Sequence, residues 1–267
     1  MKSTRAHDRT YLNDRLGTLA QEYHVASRNQ AGLKHLVNEH LVHYRPQILK
    51  LAATAALRLE GCTRVRLPAA GASANLPLEE AIRRRTSVRS FGPSPLAAQQ
   101  LATILKLGNA VRRTDVAGDP VNYRRNAPSS GNLGSVEVYP IIMNVEGIQP
   151  GIYHFDSVAH DLATIRTGHF ATWLRDRVFY QVEFSRAAVA LVLTAAVGRL
   201  TTKYGPRAYR LALLDTGHVS QNIYLTASAL GLKVCATAGF IDDELDAALG
   251  VDGLDSPSTL VLAVGPV

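Results

Sequence analysis

Residues 203–232, KYGPRAYRLALLDTGHVSQNIYLTASALGL, decide how the rest of this chain is read. Gly205 offers an N-cap, Pro206 suits the first helical position, where a missing N–H loses no bond, and Gly231 supplies a stop. The spacing therefore predicts one helix of roughly 25 residues, which at about 1.5 Å per residue spans a domain. Tyr209, Leu213, Thr216, Ser220, Ile223 and Ala227 recur at helical intervals, with Gly217, His218, Gln221 and Asn222 interleaved. Such a mixed face suits a helix packed at an interface or beside a cofactor. Lys203 and Tyr204 stand just before the first turn. There the positive end of the helix dipole, with Arg207 and Arg210 nearby, is expected to favour a neutral lysine and an ionised tyrosine, so that both act as bases near neutral pH.

Working outward, Ala188–Ala196 is rich in Val and Leu and reads as a central strand feeding the Lys203 stretch. Val136–Val145 reads as a second strand, Gly151–Ile165 as a hairpin turning near Asp156–His160, and Thr259–Val264 as a closing strand. Helices are expected from Leu78, over Pro95–Leu107, over Phe170–Arg177 and over Asp242–Leu249, and Arg112, Arg113, Arg124 and Arg125 fall in a polar loop. This irregular mixture gives an α+β class rather than a regular parallel barrel. Upstream, Tyr11–Tyr23 and Leu33–Leu59 read as helices, the second interrupted at Pro46. Arg64–Leu67 reads as a short strand and Pro68–Pro77 as a linker. The expected division is a helical extension over 1–67, a linker over 68–77 and a catalytic domain over 78–267.

With 267 residues, 46% of them hydrophobic, the chain can bury a substantial core. Its longest strongly apolar run, Ala187–Val197, is far short of the roughly 20 residues a bilayer crossing needs. The opening Met1–Arg5 leads into polar sequence rather than an apolar signal core, so a cytoplasmic protein without a membrane partner is expected. Cys62 and Cys235 lack metal-like spacing and read as reduced thiols. His35, Glu39, His40 and His43 follow neither order of a zinc-binding helix, so no metal is expected. The net charge of +7 asks for anionic company. No nucleic-acid module and no GxGxxG or P-loop fingerprint is present, which leaves a cofactor phosphate, an acidic peptide region or a partner protein.

Two further motifs carry chemistry. Arg83–Arg89, RRRTSVR, gathers guanidinium groups and hydroxyls beyond a helix end. The residue types alone allow either a phosphate grip or a basic helix terminus serving its own dipole. Pro128-Ser129-Ser130-Gly131-Asn132 sets hydroxyls, a flexible glycine and an amide before a strand, a loop able to approach a planar ring and equally able to be a plain turn.

Taken in order, Arg85-x-Ser87-x-Arg89, Pro128-Ser-Ser-Gly and Lys203-Tyr204 before a long helix resemble the nitroreductase-like flavoproteins over roughly 78–267. Within that group, the run from Lys203 through Arg210, Gly217-His218 and Gln221-Asn222 is similar to the SagB-type azoline dehydrogenases, which make thiazoles and oxazoles in peptides. The resemblance implies a nitroreductase-like α+β fold and a homodimer with one FMN in each of two interface sites. It implies that Arg85, Thr86, Ser87 and Arg89 hold the phosphate and polar edge of the flavin. Pro128, Ser129, Ser130, Gly131 and Asn132 would line the isoalloxazine ring, and Gly239 would let backbone N–H groups approach the phosphate or ring. Lys203 and Tyr204 would abstract a proton from an azoline-containing peptide substrate while the flavin takes the hydride, with a cyclodehydratase as partner.

Gly151–Phe155 and Ala238–Phe240 are further landmarks of the resemblance. Two departures stand out: Leu133-Gly134-Ser135 replaces the usual Leu-Tyr-Pro or Leu-His-Pro, and Asp215-Thr216 precedes Gly217-His218 where relatives carry Glu-x-Gly-His. Two other functions fit the same fold. One is an NAD(P)H-driven reductase of nitro compounds or quinones, and the other is a flavin-free partner-binding subunit of a peptide-modifying complex.

Overall fold

The computed structural model describes residues 14–29, 32, 34–53, 56–71, 75–114 and 122–266. Contacts divide the chain into two units, Met1–His43 and Tyr44–Val267. The first holds α1 (Asp14–Ala26) and α2 (Lys34–His43), on which Leu19, Val25, Leu36, Val37 and Val42 are exposed. Tyr11 and Leu33, where two expected helices begin, lie outside the described residues. The second unit opens with α3 (Arg45–Ala53), and Pro46 stands in its first turn, where it removes no helical hydrogen bond.

β1 (Arg64–Arg66) follows, then α4 (Leu78–Arg84), α5 (Ala98–Asn109) and a ribbon of β2 (Val111–Thr114) and β3 (Asn122–Arg125). β4 (Val136–Ile142), β5 (Gly151–Asp156) and β6 (Asp161–Thr167) come next, with the short α6 (Ala171–Trp173) running into a π-helical turn at Leu174–Val178. The chain closes with β7 (Val189–Ala195), α7 (Val197–Tyr204), α8 (Ala208–Ala229), β8 (Lys233–Thr237), α9 (Asp242–Leu249) and β9 (Ser258–Gly265). The main sheet has the order β1-β6-β5-β4-β7-β9-β8. Every pairing in it is antiparallel. Because β1 pairs with β6, the strand expected in the extension belongs to the sheet of the second unit, and the contact boundary falls after His43 rather than at residue 67.

β7 shows why this sheet lies in the middle. All seven of its residues are buried, a continuous apolar run of the kind that has a layer on either side. Alternate side chains point to opposite faces. Val189, Leu191 and Leu193 pack with Leu101, Ile104 and Leu105 of α5 and Val219, Ile223 and Ala227 of α8. Ala190 and Val192 pack with Phe170, Leu174 and Phe184 and with Leu245 and Leu249 of α9. The α+β class stands, and the site described below is built where α7 and α8 meet the loop that enters β4.

Several elements differ from expectation. The helix expected between Gly205 and Gly231 is α8, but Lys203 and Tyr204, expected ahead of it, belong to a separate helix, α7. Gly205 adopts φ 53° and ψ −138°, a conformation open to glycine, which ends α7 and leads through a tight 3-10 turn, Gly205–Arg207, into α8. Gly231, at φ 69°, does end the second helix. Of the positions expected on its packed face, Thr216, Ser220, Ile223 and Ala227 are buried, whereas Tyr209 and Leu213 are exposed, and Ala208, Ala212, Asp215 and Val219 are buried beside them. The polar loop with four arginines forms the β2–β3 ribbon, with Arg112 opposite Arg124 and Arg125 buried at its base. The Phe170–Arg177 helix is mostly the π-helical turn. Among the described residues, no helix is long and apolar enough to cross a membrane, and no three potential metal ligands gather.

Candidate active site

Lys203 and Tyr204 are the last two residues of α7, so they sit at the carboxyl end of one helix and not directly on the amino end of another. The dipole effect expected to favour a neutral Lys203 and an ionised Tyr204 is therefore absent for both. Burial, with the charge of Asp215 adding to it, pushes the phenol above its ordinary range, and it keeps its proton at neutral pH. Lys203 Nζ lies 5.3 Å from the centre of the Tyr204 ring.

The structure brings this pair against the Pro128–Asn132 loop. Ser130–Asn132 forms one 3-10 turn, in which Gly131 and Asn132 both take φ of 60°. A side chain at position 131 would place its Cβ 2.6 Å from Lys203 Nζ and 2.6 Å from the Tyr204 hydroxyl. Both polar groups thus converge on the bare face of Gly131, and a side chain there would have to push them aside.

Asp215 holds the loop from behind. Its buried carboxylate accepts from Ser130 N at 2.8 Å, Ser130 Oγ at 2.9 Å and Ser135 Oγ at 2.5 Å. Ser129 Oγ accepts from Gly134 N at 3.0 Å and tightens the same turn. Arg199, one helical turn before Lys203, donates to Gly134 O and to Glu137 Oε1, the latter at 2.8 Å. Burial alone would raise the Glu137 carboxyl. The hydrogen bond from His154 and the charges of Arg199 and Arg125 outweigh burial and hold it at about 2. A network of ionic groups therefore fixes α7 to the entrance of β4.

The arginines of the 83–89 segment sort into two groups. Arg83 pairs with Glu79 and Glu80, and Arg84 pairs with Glu80, as expected of a solvated helix end. Arg85 and Arg89 form no ion pair among the described residues; Arg85 lies 5.5 Å over the Tyr224 ring. Ser87 Oγ is 3.0 Å from the Tyr224 hydroxyl, which accepts from Ala236 N at 2.7 Å, and Val88 N donates to Val234 O. Thr86, Ser87 and Arg89 are exposed. Asp215 and Tyr224 are nine residues apart on α8. The two clusters thus lie about 14 Å apart along one helix. Gly239 belongs to neither: its N–H donates to Thr237 Oγ1 at 2.9 Å, and its carbonyl accepts from Tyr180 N.

Sequence reasoning noted Asp215 and Ser135 as departures without giving them a role, and passed over Arg199 and Tyr224. The available signal for Asp215 was a lone carboxylate on the stripe of Ala208, Ala212 and Val219, where an apolar residue is the rule.

Comparison with known proteins puts this geometry in context. The profile described as nitroreductase family matches residues 82–266. A protein of Methanocaldococcus jannaschii named as a nitroreductase is 31% identical over 170 residues, covering 64% of this chain and 82% of that protein. The microcin B17-processing protein McbC of Escherichia coli is 31% identical over 139 residues, 50% of this chain, and the match spans about half, 51%, of McbC. Among solved structures, a nitroreductase from Anabaena variabilis superposes with a TM-score of 0.65 at 26% identity, over 78% of this chain and 42% of that one. A chain of the Escherichia coli microcin synthetase McbBCD complex with truncated pro-MccB17 superposes with a TM-score of 0.57 at 21% identity, over 96% and 95%. That last likeness is one of fold alone.

Proposed function

We propose, from the premise that this chain belongs to the nitroreductase family, that it is an FMN-dependent oxidoreductase converting peptide thiazolines or oxazolines to thiazoles or oxazoles. The observation that carries this reading is the convergence of Lys203 Nζ and the Tyr204 hydroxyl on Gly131, in a chain similar to a protein named for processing a microcin.

The residues fit FMN. Arg85 and Arg89, without carboxylate partners among the described residues, and the exposed hydroxyls of Thr86 and Ser87 form a donor set suited to a phosphate. Gly131 has no side chain of its own, and the polar ends of Lys203 and Tyr204 occupy its bare face, where they can meet the edge of a bound ring. When bound, FMN accepts a hydride and is reoxidised by oxygen. The chain's own residues handle the proton lost from the azoline ring. Tyr204 holds its proton, so it serves as the hydrogen-bond donor that orients the ring, and we assign proton acceptance to Lys203, which must meet the substrate as the free amine. The loop over 128–132 fixes where the substrate carbon meets Lys203. The substrate itself must come from a cyclodehydratase, which we take as the partner, and the working unit is a homodimer.

The test follows flavin absorbance of the purified protein without oxygen, before and after adding an azoline-containing peptide. Bleaching that reverses in air, with azole product seen by mass, is the expected result. Lys203→Ala and Tyr204→Phe are expected to retain flavin and lose most oxidation; a double variant with normal turnover would sink the assignment. The name of the archaeal relative favours a second reading, a nitro or quinone reductase. A flavin that ignores azoline and bleaches with NADPH would establish that reading instead.

A further inference from the structure

We infer that Asp215 is a positioning residue for the reaction proposed above: through Ser130 and Ser135 it clamps the loop that enters β4 onto the Lys203–Tyr204 pair. The inference rests on that reading of the pair, and the geometry behind it is independent of the substrate.

A buried carboxylate is costly unless its oxygens are satisfied, and here three donors from two positions of one loop satisfy it. Ser130 N and Ser135 Oγ meet on Oδ2, while Ser130 Oγ takes Oδ1. Nothing else on that stripe of α8 is charged: Ala208 and Ala212 precede Asp215, and Val219 follows one turn later. An apolar side chain there would pack on Leu133, Ala195 and Leu200, which already form a small core with Ala208 and Ala212. The carboxylate therefore serves the loop and not the packing. Gly131 stands next to Ser130, so whatever fixes Ser130 also fixes the residue on whose bare face Lys203 and Tyr204 converge.

Asp215 from α8 is the charge that acts on the Tyr204 phenol, Lys203 Nζ from its own helix lies near the same ring, Arg207 and Arg210 follow in sequence, and the Ser130 and Gly131 side of the loop is neutral. The Asp215 charge reinforces burial in keeping the phenol protonated. Replacing that charge by a neutral amide of the same shape removes one of the two causes, so the Tyr204 midpoint must fall.

The experiment compares Asp215→Asn and Asp215→Glu with wild type, all as flavin-loaded protein. For Asp215→Asn, kcat on the azoline peptide is expected to fall by about 10- to 100-fold, because small misplacements of a reacting group are costly, with KM nearly unchanged. Asp215→Glu should recover part of it. Two readouts do not need turnover. The Tyr204 midpoint, followed by carbon-13 labelling of tyrosine with Tyr204→Phe to assign the signal, should move to lower pH in Asp215→Asn. Amide exchange over 130–135 should speed up by about tenfold, the loss of one modest hydrogen bond. An unmoved midpoint together with unchanged exchange would overturn the inference and make Asp215 a packing residue. If wild type shows no azoline turnover, the proposed reaction fails, but midpoint and exchange still decide whether Asp215 clamps the loop.

Discussion

Four arginines of the 83–89 segment are neighbours in sequence but different in circumstance. Arg83 and Arg84 spend their charge on Glu79 and Glu80 one turn back, at 65% and 63% side-chain exposure, so these pairs are weak and local. Arg85 and Arg89 have no such carboxylates among the described residues and lie beside Ser87. Arg85→Ala or Arg89→Ala should weaken FMN binding by about 10- to 100-fold, the worth of a charge-assisted bond, while Arg84→Ala should leave it within about twofold. Titration followed by flavin fluorescence measures both, and equal losses at Arg84 and Arg85 would remove the phosphate role. Glu137 makes a second prediction. Its folded pKa of about 2 lies below the unfolded 4.5, so its contribution to stability is complete above pH 4.5 and is lost as pH falls towards 2. Glu137→Gln leaves the buried Arg125 and the half-buried Arg199 without their anion and should cost about 3–5 kcal/mol at pH 7. The difference from wild type should shrink in urea titrations at pH 3. The signal for Glu137 was absent from the sequence, because a glutamate in a strand reads as an outward residue until His154 and Arg199 are placed beside it.

At the scale of elements, packing of α5 on α8 offers a sharp test. Gly108 lies in α5 at the crossing, and a Cβ there would sit 2.9 Å from Ile223 Cγ1 of α8. Alanine gains up to about 1 kcal/mol in helix propensity, whereas overpacking a buried contact costs about 1–3 kcal/mol, so Gly108→Ala should destabilise by up to about 2 kcal/mol. Chemical denaturation reads the sign, and a stabilised variant would mean that the helices part without cost. The elements that depend on local pattern were legible: the Val- and Leu-rich β7, the β5–β6 hairpin and α9 all lie where their periodicity put them. Those that depend on neighbours were not. The α7–α8 join was misread because Gly205-Pro206 has the same letters whether it begins a helix or separates two. The β2–β3 ribbon was missed because opposed Arg112 and Arg124 repel, a pattern that speaks against a strand pair. The site followed the same division. The motif letters named the Gly131 loop and Lys203–Tyr204 separately, and only the fold placed one on the other and put Asp215 behind them.

For the whole molecule, α8 joins the site to the surface. Its inner face carries Asp215, Ile223 and Tyr224, while Tyr209, Leu213 and Leu214 stand outward at 42%, 42% and 58% exposure in the single chain. Fully burying a leucine is worth about 1.5–3 kcal/mol and about half of that remains for each of these groups, so three of them on two adjacent turns favour a covered surface over a solvated one. This is the stripe we assign to the proposed homodimer. Because the same helix anchors the Gly131 loop and lies under Ser87, disturbing its outer face should reach the cofactor residues. Leu213→Asp combined with Leu214→Asp is expected to give a monomer by light scattering that retains its fold by circular dichroism and holds FMN less tightly. A dimer that survives both substitutions would move the interface elsewhere. A monomer with undiminished flavin affinity would instead show that each chain completes its own cofactor site, and the homodimer would then have no part in the chemistry.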